Sequence, residues 1–236
     1  MKRVVFVTVG TTALTAEHLG ELSNSDPLVQ KEARDFCRSR KAPHPSLFAR
    51  VVSAHREFWD SPKSVHLHAT YTSAEMTSTW LMFRVQIESF KDLLHPGQDR
   101  VVLIASGTPE GEFSARVNAE LMDDYIFAPR CPCKVDFEMV DSCDSVFIEV
   151  IKGMEAKRGG FDGLPAALDA LVNKHTQRPS DIWFNITGGY KGAVPAITSK
   201  RPPRSALFYA HESMDTAEII SFAEGGISQV TVPVVP

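Results

Sequence analysis

Trp183-Phe184-Asn185-Ile186-Thr187-Gly188-Gly189-Tyr190-Lys191-Gly192-Ala193 reads as an apolar strand ending in polar residues, a paired-glycine turn and the lysine-bearing start of a helix. Adjacent glycines admit positive φ and let another group come close to the main chain. The free N–H groups at the start of the following helix favour anions, so a phosphate is the natural guest of such a turn. Asn185 and Thr187 stand two residues apart at the strand end. On a strand that spacing puts both on one face, beside the Lys191 ammonium. An ordinary strand-to-helix turn of an α/β domain also carries Gly-Gly. The whole Asn-x-Thr-Gly-Gly-x-Lys string after an apolar strand is what points to an anion site.

A strand followed by small polar residues occurs twice more. Residues 3–9 are a continuous apolar and β-branched run, as in a strand buried on both faces, and stop at Gly10-Thr11-Thr12. Arg100-Val-Val-Leu-Ile-Ala-Ser106 is followed by Gly107-Thr108-Pro109-Glu110-Gly111-Glu112. The hydroxyls of Thr11, Thr12, Ser106 and Thr108 are therefore expected at the carboxyl edge of one sheet, where open α/β folds bind ligands. Thr11 or Thr12 can equally serve as a helix cap. Glu110 and Glu112 suit the start of a helix and repel phosphate, which assigns this loop to a base or ribose.

Between the first two strands lies a helical insertion of roughly residues 14–96, too long for a minimal crossover. Its main helix is expected over Ser73 to Leu94, with Met76, Trp80, Phe83, Ile87 and Phe90 on one face as core or dimer contact. Arg50 and His55 have the spacing of a phosphate-binding pair in one class of metal-independent ribonuclease; a solvated helix face is the simpler reading.

Further strands are expected at 134–140, 145–151, 181–186 and 205–210, with helices at 113–124, at 164–174 and after the glycine turn. Residues 218–222 are expected as an edge strand that can run antiparallel, and Val230 to Pro236 as a terminal strand or the start of a linker. This order predicts a single domain over 1–236: an α/β, Rossmann-like open and mainly parallel sheet with helices on both faces and a helical insertion after strand one. The chain lacks a Gly-x-Gly-x-x-Gly string after strand one, a Gly-x-x-x-x-Gly-Lys-[Ser/Thr] loop and a Gly-x-Ser-x-Gly elbow. Those absences exclude the usual dinucleotide redox, P-loop and α/β-hydrolase readings.

The 236 residues carry a net charge of −4, which argues against long nucleic acid as a partner and makes any anion site a local one. No apolar run approaches the roughly 18–20 residues that span a bilayer, and the first residues read as a strand and not as a secretory signal. Cys37, Cys131, Cys133 and Cys143 read as reduced thiols of a cytoplasmic protein, with a zinc site on the last three and a histidine as the other reading. No metal and no cofactor are expected.

Three strings together resemble the CRISPR-associated Rossmann fold (CARF) family: Thr8-Val-Gly-Thr-Thr12, Leu103-Ile-Ala-Ser-Gly-Thr-Pro-Glu-Gly-Glu112 and Asn185-Ile-Thr-Gly-Gly-Tyr-Lys191. The resemblance runs from about residue 3 to 223, and its last string is the most specific. It implies a homodimer that binds cyclic oligoadenylate, the second messenger of type III CRISPR complexes, across its two-fold axis. A symmetric ring suits two copies of one Gly-Gly-x-Lys turn. The implied pocket uses Gly10, Thr11, Thr12, Ser106, Gly107, Thr108, Asn185, Thr187, Gly188, Gly189 and Lys191. With no output domain recognised, a ring nuclease for cyclic tetra-adenylate is the first expectation and a non-catalytic sensor of a larger effector the second. In the resemblance to ring nucleases Lys191 stabilises developing charge, and Thr11 or Thr12 stands where a family member has serine and positions the ribose phosphate.

Overall fold

In the computed structural model, the described residues are 3–10, 12–14, 35, 45–60, 73–84, 99–127, 145–152, 154, 164–176, 182–188, 192–210, 216–223 and 226–233. Among the described residues seven strands form one sheet: Val4–Thr8 (β1), Arg100–Ser106 (β2), Val146–Ile151 (β3), Ile182–Asn185 (β4), Ala206–Ala210 (β5), Thr216–Ala223 (β6) and Gly226–Pro233 (β7). Their order is β3-β2-β1-β4-β5-β6-β7. Strands β1 to β5 are mutually parallel, and β6 and β7 close the sheet antiparallel. The Rossmann-like α/β architecture expected from the sequence is the one observed.

The described helices are Pro45–Trp59 (α1), Ala74–Arg84 (α2), Pro109–Met122 (α3), Leu164–His175 (α4) and Ala193–Lys200 (α5). Alternation along the strands sends side chains to opposite faces, and both faces are covered. Val5, Val7 and Val9 pack with Val51 of α1, Met76 and Leu81 of α2, and Phe113, Val117 and Leu121 of α3. Val4, Phe6 and Phe184 pack on the other side with Leu164 and Leu168 of α4 and Ile197 of α5. Uninterrupted apolar strands are thus explained by two cores, one above and one below the sheet.

Helix α2 starts where the sequence places it. Met76 and Phe83 are buried and Trp80 packs against the core, as expected of an inward stripe, while Ile87 and Phe90 lie outside the described residues. The reading of Arg50 and His55 as a solvated helix face changes at His55. Its ring is fully buried and its Nε2 faces the Ala13 carbonyl oxygen at 3.4 Å, because α1 turns this side against the loop after β1. In that position the ring offers no surface to an RNA phosphate. The α1 flank is held instead by Arg56, which donates to Asp124, and by Tyr125, which donates to Asp60 at 2.9 Å.

Two further expectations shift. The strand at residues 218–222 is not the sheet edge, because β7 pairs along the whole of β6. Val230 to Pro233 belong to β7, so that part of the tail is strand. The strand expected at 134–140 and the four cysteines lie outside the described residues. Among the described residues no helix is long and apolar enough to cross a membrane.

Candidate functional site

Strand register sets the geometry of the carboxyl edge. Val7 is paired with Asn185 and Thr8 with Ile104, so Gly10, Gly188 and Ser106 follow these pairs at nearly the same height. From β1 the chain passes outward to β2 and β3; β4 then returns to the other side of β1. The order reverses between β1 and β4, which is where an open α/β sheet leaves its ligand crevice. Gly10 and Gly188 stand on the two sides of that switch point.

The two turns are tied together directly. Thr8 Oγ1 donates to the Gly188 carbonyl oxygen at 3.0 Å, across 180 residues of sequence. The Gly10 N–H donates to Glu75 Oε1 at 2.9 Å. Glu75 is fully buried on the first turn of α2, and a Cβ built on Gly188 would fall 2.6 Å from its Cγ and Cδ. Gly188 does not have the left-handed φ that a paired-glycine turn suggests. It is required for close approach, and the group that approaches is Glu75.

Asn185 and Thr187 are both engaged with the protein. The Asn185 amide donates to Ser78 Oγ at 2.8 Å and Thr79 Oγ1 at 3.1 Å, and its Oδ1 accepts the Thr187 N–H at 3.1 Å. Thr187 Oγ1 accepts the Ala210 N–H at 2.9 Å, tying the turn to the end of β5. The sequence places the two side chains together on one face; in the structure Asn185 fastens β4 to α2 and Thr187 fastens the turn to β5. Each thereby shapes the turn from behind.

At the end of β2, Ser106 is buried and its Oγ lies 2.9 Å from Thr108 Oγ1. Thr108 caps α3 by accepting the Gly111 N–H at 3.1 Å. Pro109 follows at the first helical position, and Glu110 and Glu112 occupy the first turn, where the helix dipole favours them. Gly107 is exposed and its N–H donates to the Ile151 carbonyl at the end of β3. These residues reach the expected edge on the β3 side of β1.

Thr11, Gly189 and Lys191 lie outside the described residues, and of Thr12 the backbone begins a short 3-10 turn over Thr12–Leu14. The next helix, α5, begins at Ala193 with Gly192 as its N-cap residue. Among the described residues no group of three or more His, Cys, Asp and Glu is placed to hold a metal.

The residues missed from sequence are the polar ones at the start of α2. Ser73, Glu75, Thr77, Ser78 and Thr79 are all fully buried. Ser73 Oγ lies 2.7 Å from both Glu75 Oε2 and Asn118 Oδ1, and Asn118 in turn donates to the Ser114 carbonyl. The available signal was the polar run Ser73-Ala-Glu-Met-Thr-Ser-Thr79 on a helix whose inward stripe is apolar. A polar run beginning a buried helix has to find partners inside the protein.

No curated protein matches this chain. The model of one protein family, described as CRISPR-associated protein (Cas_APE2256), matches residues 70–222. That span holds Glu75, the ends of β2 and β4, and the glycine turn, and it covers more than half of the sequence. The chain belongs to the Cas_APE2256 family of CRISPR-associated proteins.

Proposed function

We propose that the protein binds cyclic oligoadenylate, most readily cyclic tetra-adenylate, across a homodimer interface in type III CRISPR signalling and cleaves the ring without a metal. The observation that carries this reading is the pairing of the Gly10 and Gly188 turns at the β1/β4 switch point, joined by the Thr8 hydrogen bond to Gly188. Membership in a CRISPR-associated family gives that crevice its biological setting. The start of α5 directly after the Gly-Gly-x-Lys string supports an anionic guest, because the first N–H groups of a helix have no partner within the helix itself.

In this reading a ribose 2′-hydroxyl of the ring attacks the adjacent phosphorus. The bond from phosphorus to O5′ breaks, the 2′ proton is lost and O5′ gains one, leaving a linear product with a 2′,3′-cyclic phosphate. The protein holds the hydroxyl in line and stabilises the charge that develops on phosphate. Lys191 is the charge stabiliser, and Thr11 or Thr12 positions the ribose phosphate.

Incubation with labelled cyclic tetra- and hexa-adenylate, with and without EDTA, tests this. Linear product that persists in chelator and falls by about 10²–10³-fold in rate in Lys191→Ala is expected. Tight binding with an intact ring would replace cleavage by sensing. Failure to bind either ring would overturn both.

A further inference from the structure

Helix α2 belongs to the insertion after β1, yet its first turn sits where the two glycine turns meet. The Glu75 carboxyl group accepts the Gly10 N–H at 2.9 Å and lies so close to Gly188 that no side chain fits there. It is itself braced: Ser73 Oγ stands 2.7 Å from its Oε2, and the Ser78 and Thr79 hydroxyls return to its own carbonyl oxygen at 3.3 and 2.7 Å. Ser78 and Thr79 also receive the Asn185 amide. One helical turn therefore touches the end of β1 through Gly10 and the end of β4 through both Asn185 and Gly188.

We propose that Glu75 is a positioning residue for the ligand: it locks the β1 and β4 turns into one unit, so that the groups after Gly10 and after Gly188 meet the ring at a fixed separation. This rests on the cyclic-oligoadenylate reading above. Glu75 is enclosed by protein, so its effect passes through the two turns. A recognition site must be held to within about half an ångström by groups that are themselves fixed, and a fully buried, braced carboxyl meets that need. The Gly10 N–H is committed to Glu75, so phosphate recognition falls to the residues beyond Gly10 and beyond Gly188.

A conservative replacement can preserve the arrangement. In Glu75→Gln the amide oxygen can accept the Gly10 N–H while the amide nitrogen donates to Ser73 Oγ. Ser73 has one hydroxyl proton for two acceptors, and this substitution leaves that proton for Asn118 Oδ1. Glu75→Ala removes the acceptor and leaves a void under Gly188.

The test compares the parent protein, Glu75→Gln, Glu75→Ala and Leu171→Ala. The last is a core truncation on α4, on the opposite face of the sheet, and its loss of stability serves as the control. Amide hydrogen exchange of peptides covering Gly10 and Gly188 needs no ligand. Exchange there should rise by about tenfold or more in Glu75→Ala, stay within about threefold in Glu75→Gln, and stay unchanged in Leu171→Ala. Affinity for labelled cyclic tetra-adenylate should fall by about tenfold or more in Glu75→Ala only. Parent-like exchange at both turns in Glu75→Ala, or equal loss of affinity in Leu171→Ala, would overturn the proposal. If the parent binds neither cyclic tetra- nor hexa-adenylate, the functional reading fails, and the exchange data alone then decide whether Glu75 locks the turns.

Discussion

Gly188→Ala isolates the contact on which the β4 turn is built. The added Cβ would stand 2.6 Å from Glu75 Cγ and Cδ and 2.7 Å from Oε1. Real Cβ atoms do not tolerate such distances, and Glu75 is held by Gly10 and Ser73, so the carboxyl cannot swing aside without breaking hydrogen bonds. Overpacking of this kind costs about 1–3 kcal/mol. The φ of Gly188 is outside the left-handed range, so alanine also restricts the unfolded chain and returns about 0.4–1 kcal/mol. The net expectation is a loss of about 1–2 kcal/mol in the parent background. In a Glu75→Ala background the obstructing atoms are gone, and the same Gly188→Ala change should be neutral or stabilising by up to about 1 kcal/mol. Urea unfolding of the four proteins of this cycle, read as midpoints at constant m, measures the coupling directly. Additivity within about 0.5 kcal/mol would show that something other than Glu75 limits the space at Gly188 and would refute the reasoning.

Two further outcomes concern elements around the site. Thr187→Val removes the oxygen that accepts the Ala210 N–H and should cost about 1–3 kcal/mol, with faster amide exchange at Ala210; unchanged exchange there would refute the tie between the turn and β5. On the opposite face, burial alone would raise the Glu149 carboxyl, but hydrogen bonds from Lys174 and His175 and their charges outweigh it and hold it below the ordinary 4.5. A depressed carboxyl contributes stability above its unfolded value and loses it as pH falls through the folded value. Glu149→Gln should therefore cost stability at about pH 7 and progressively less below the ordinary carboxylate range; a loss that stays constant down to about pH 2 would contradict this.

Much of the fold was legible because its strands are buried on both sides. Val4–Thr8 and Arg100–Ser106 are continuous apolar runs that only a covered parallel sheet explains, and small polar residues mark their ends. The antiparallel closure by β7 was less legible, because Gly226–Pro233 mixes Ser228, Gln229 and Thr231 with Ile227 and Val230 and is exposed from Gly226 to Thr231. In the site, the sequence located Gly10, Ser106 and Gly188 at strand ends but did not assign their partners. Partners depend on long-range contacts: Thr8 to Gly188, Gly10 to Glu75, Asn185 to Ser78. Side-chain direction also departs from strand alternation once β4 ends. Thr187 stands in a bend and reaches β5, although it is only two residues from Asn185.

The placement of α2 explains why a helix with an apolar inward stripe begins with so many hydroxyls. A parallel sheet delivers its ligand turns at the carboxyl edge, where backbone N–H and C=O groups have left the ladder and need other partners. At the β1/β4 reversal, two such turns emerge side by side, and a purely apolar cover would leave their polar groups buried and unsatisfied, at about 1–3 kcal/mol each. Glu75 accepts the Gly10 N–H, Ser73 braces that carboxyl, and Ser78 and Thr79 accept the Asn185 amide, while Met76, Leu81 and Phe83 of the same helix pack into the core. The carboxyl that satisfies Gly10 is also the group that stands against Gly188. Stability and the spacing of the two turns are therefore coupled at α2, and substitutions at Ser78 or Thr79 should reach the glycine turn through Asn185.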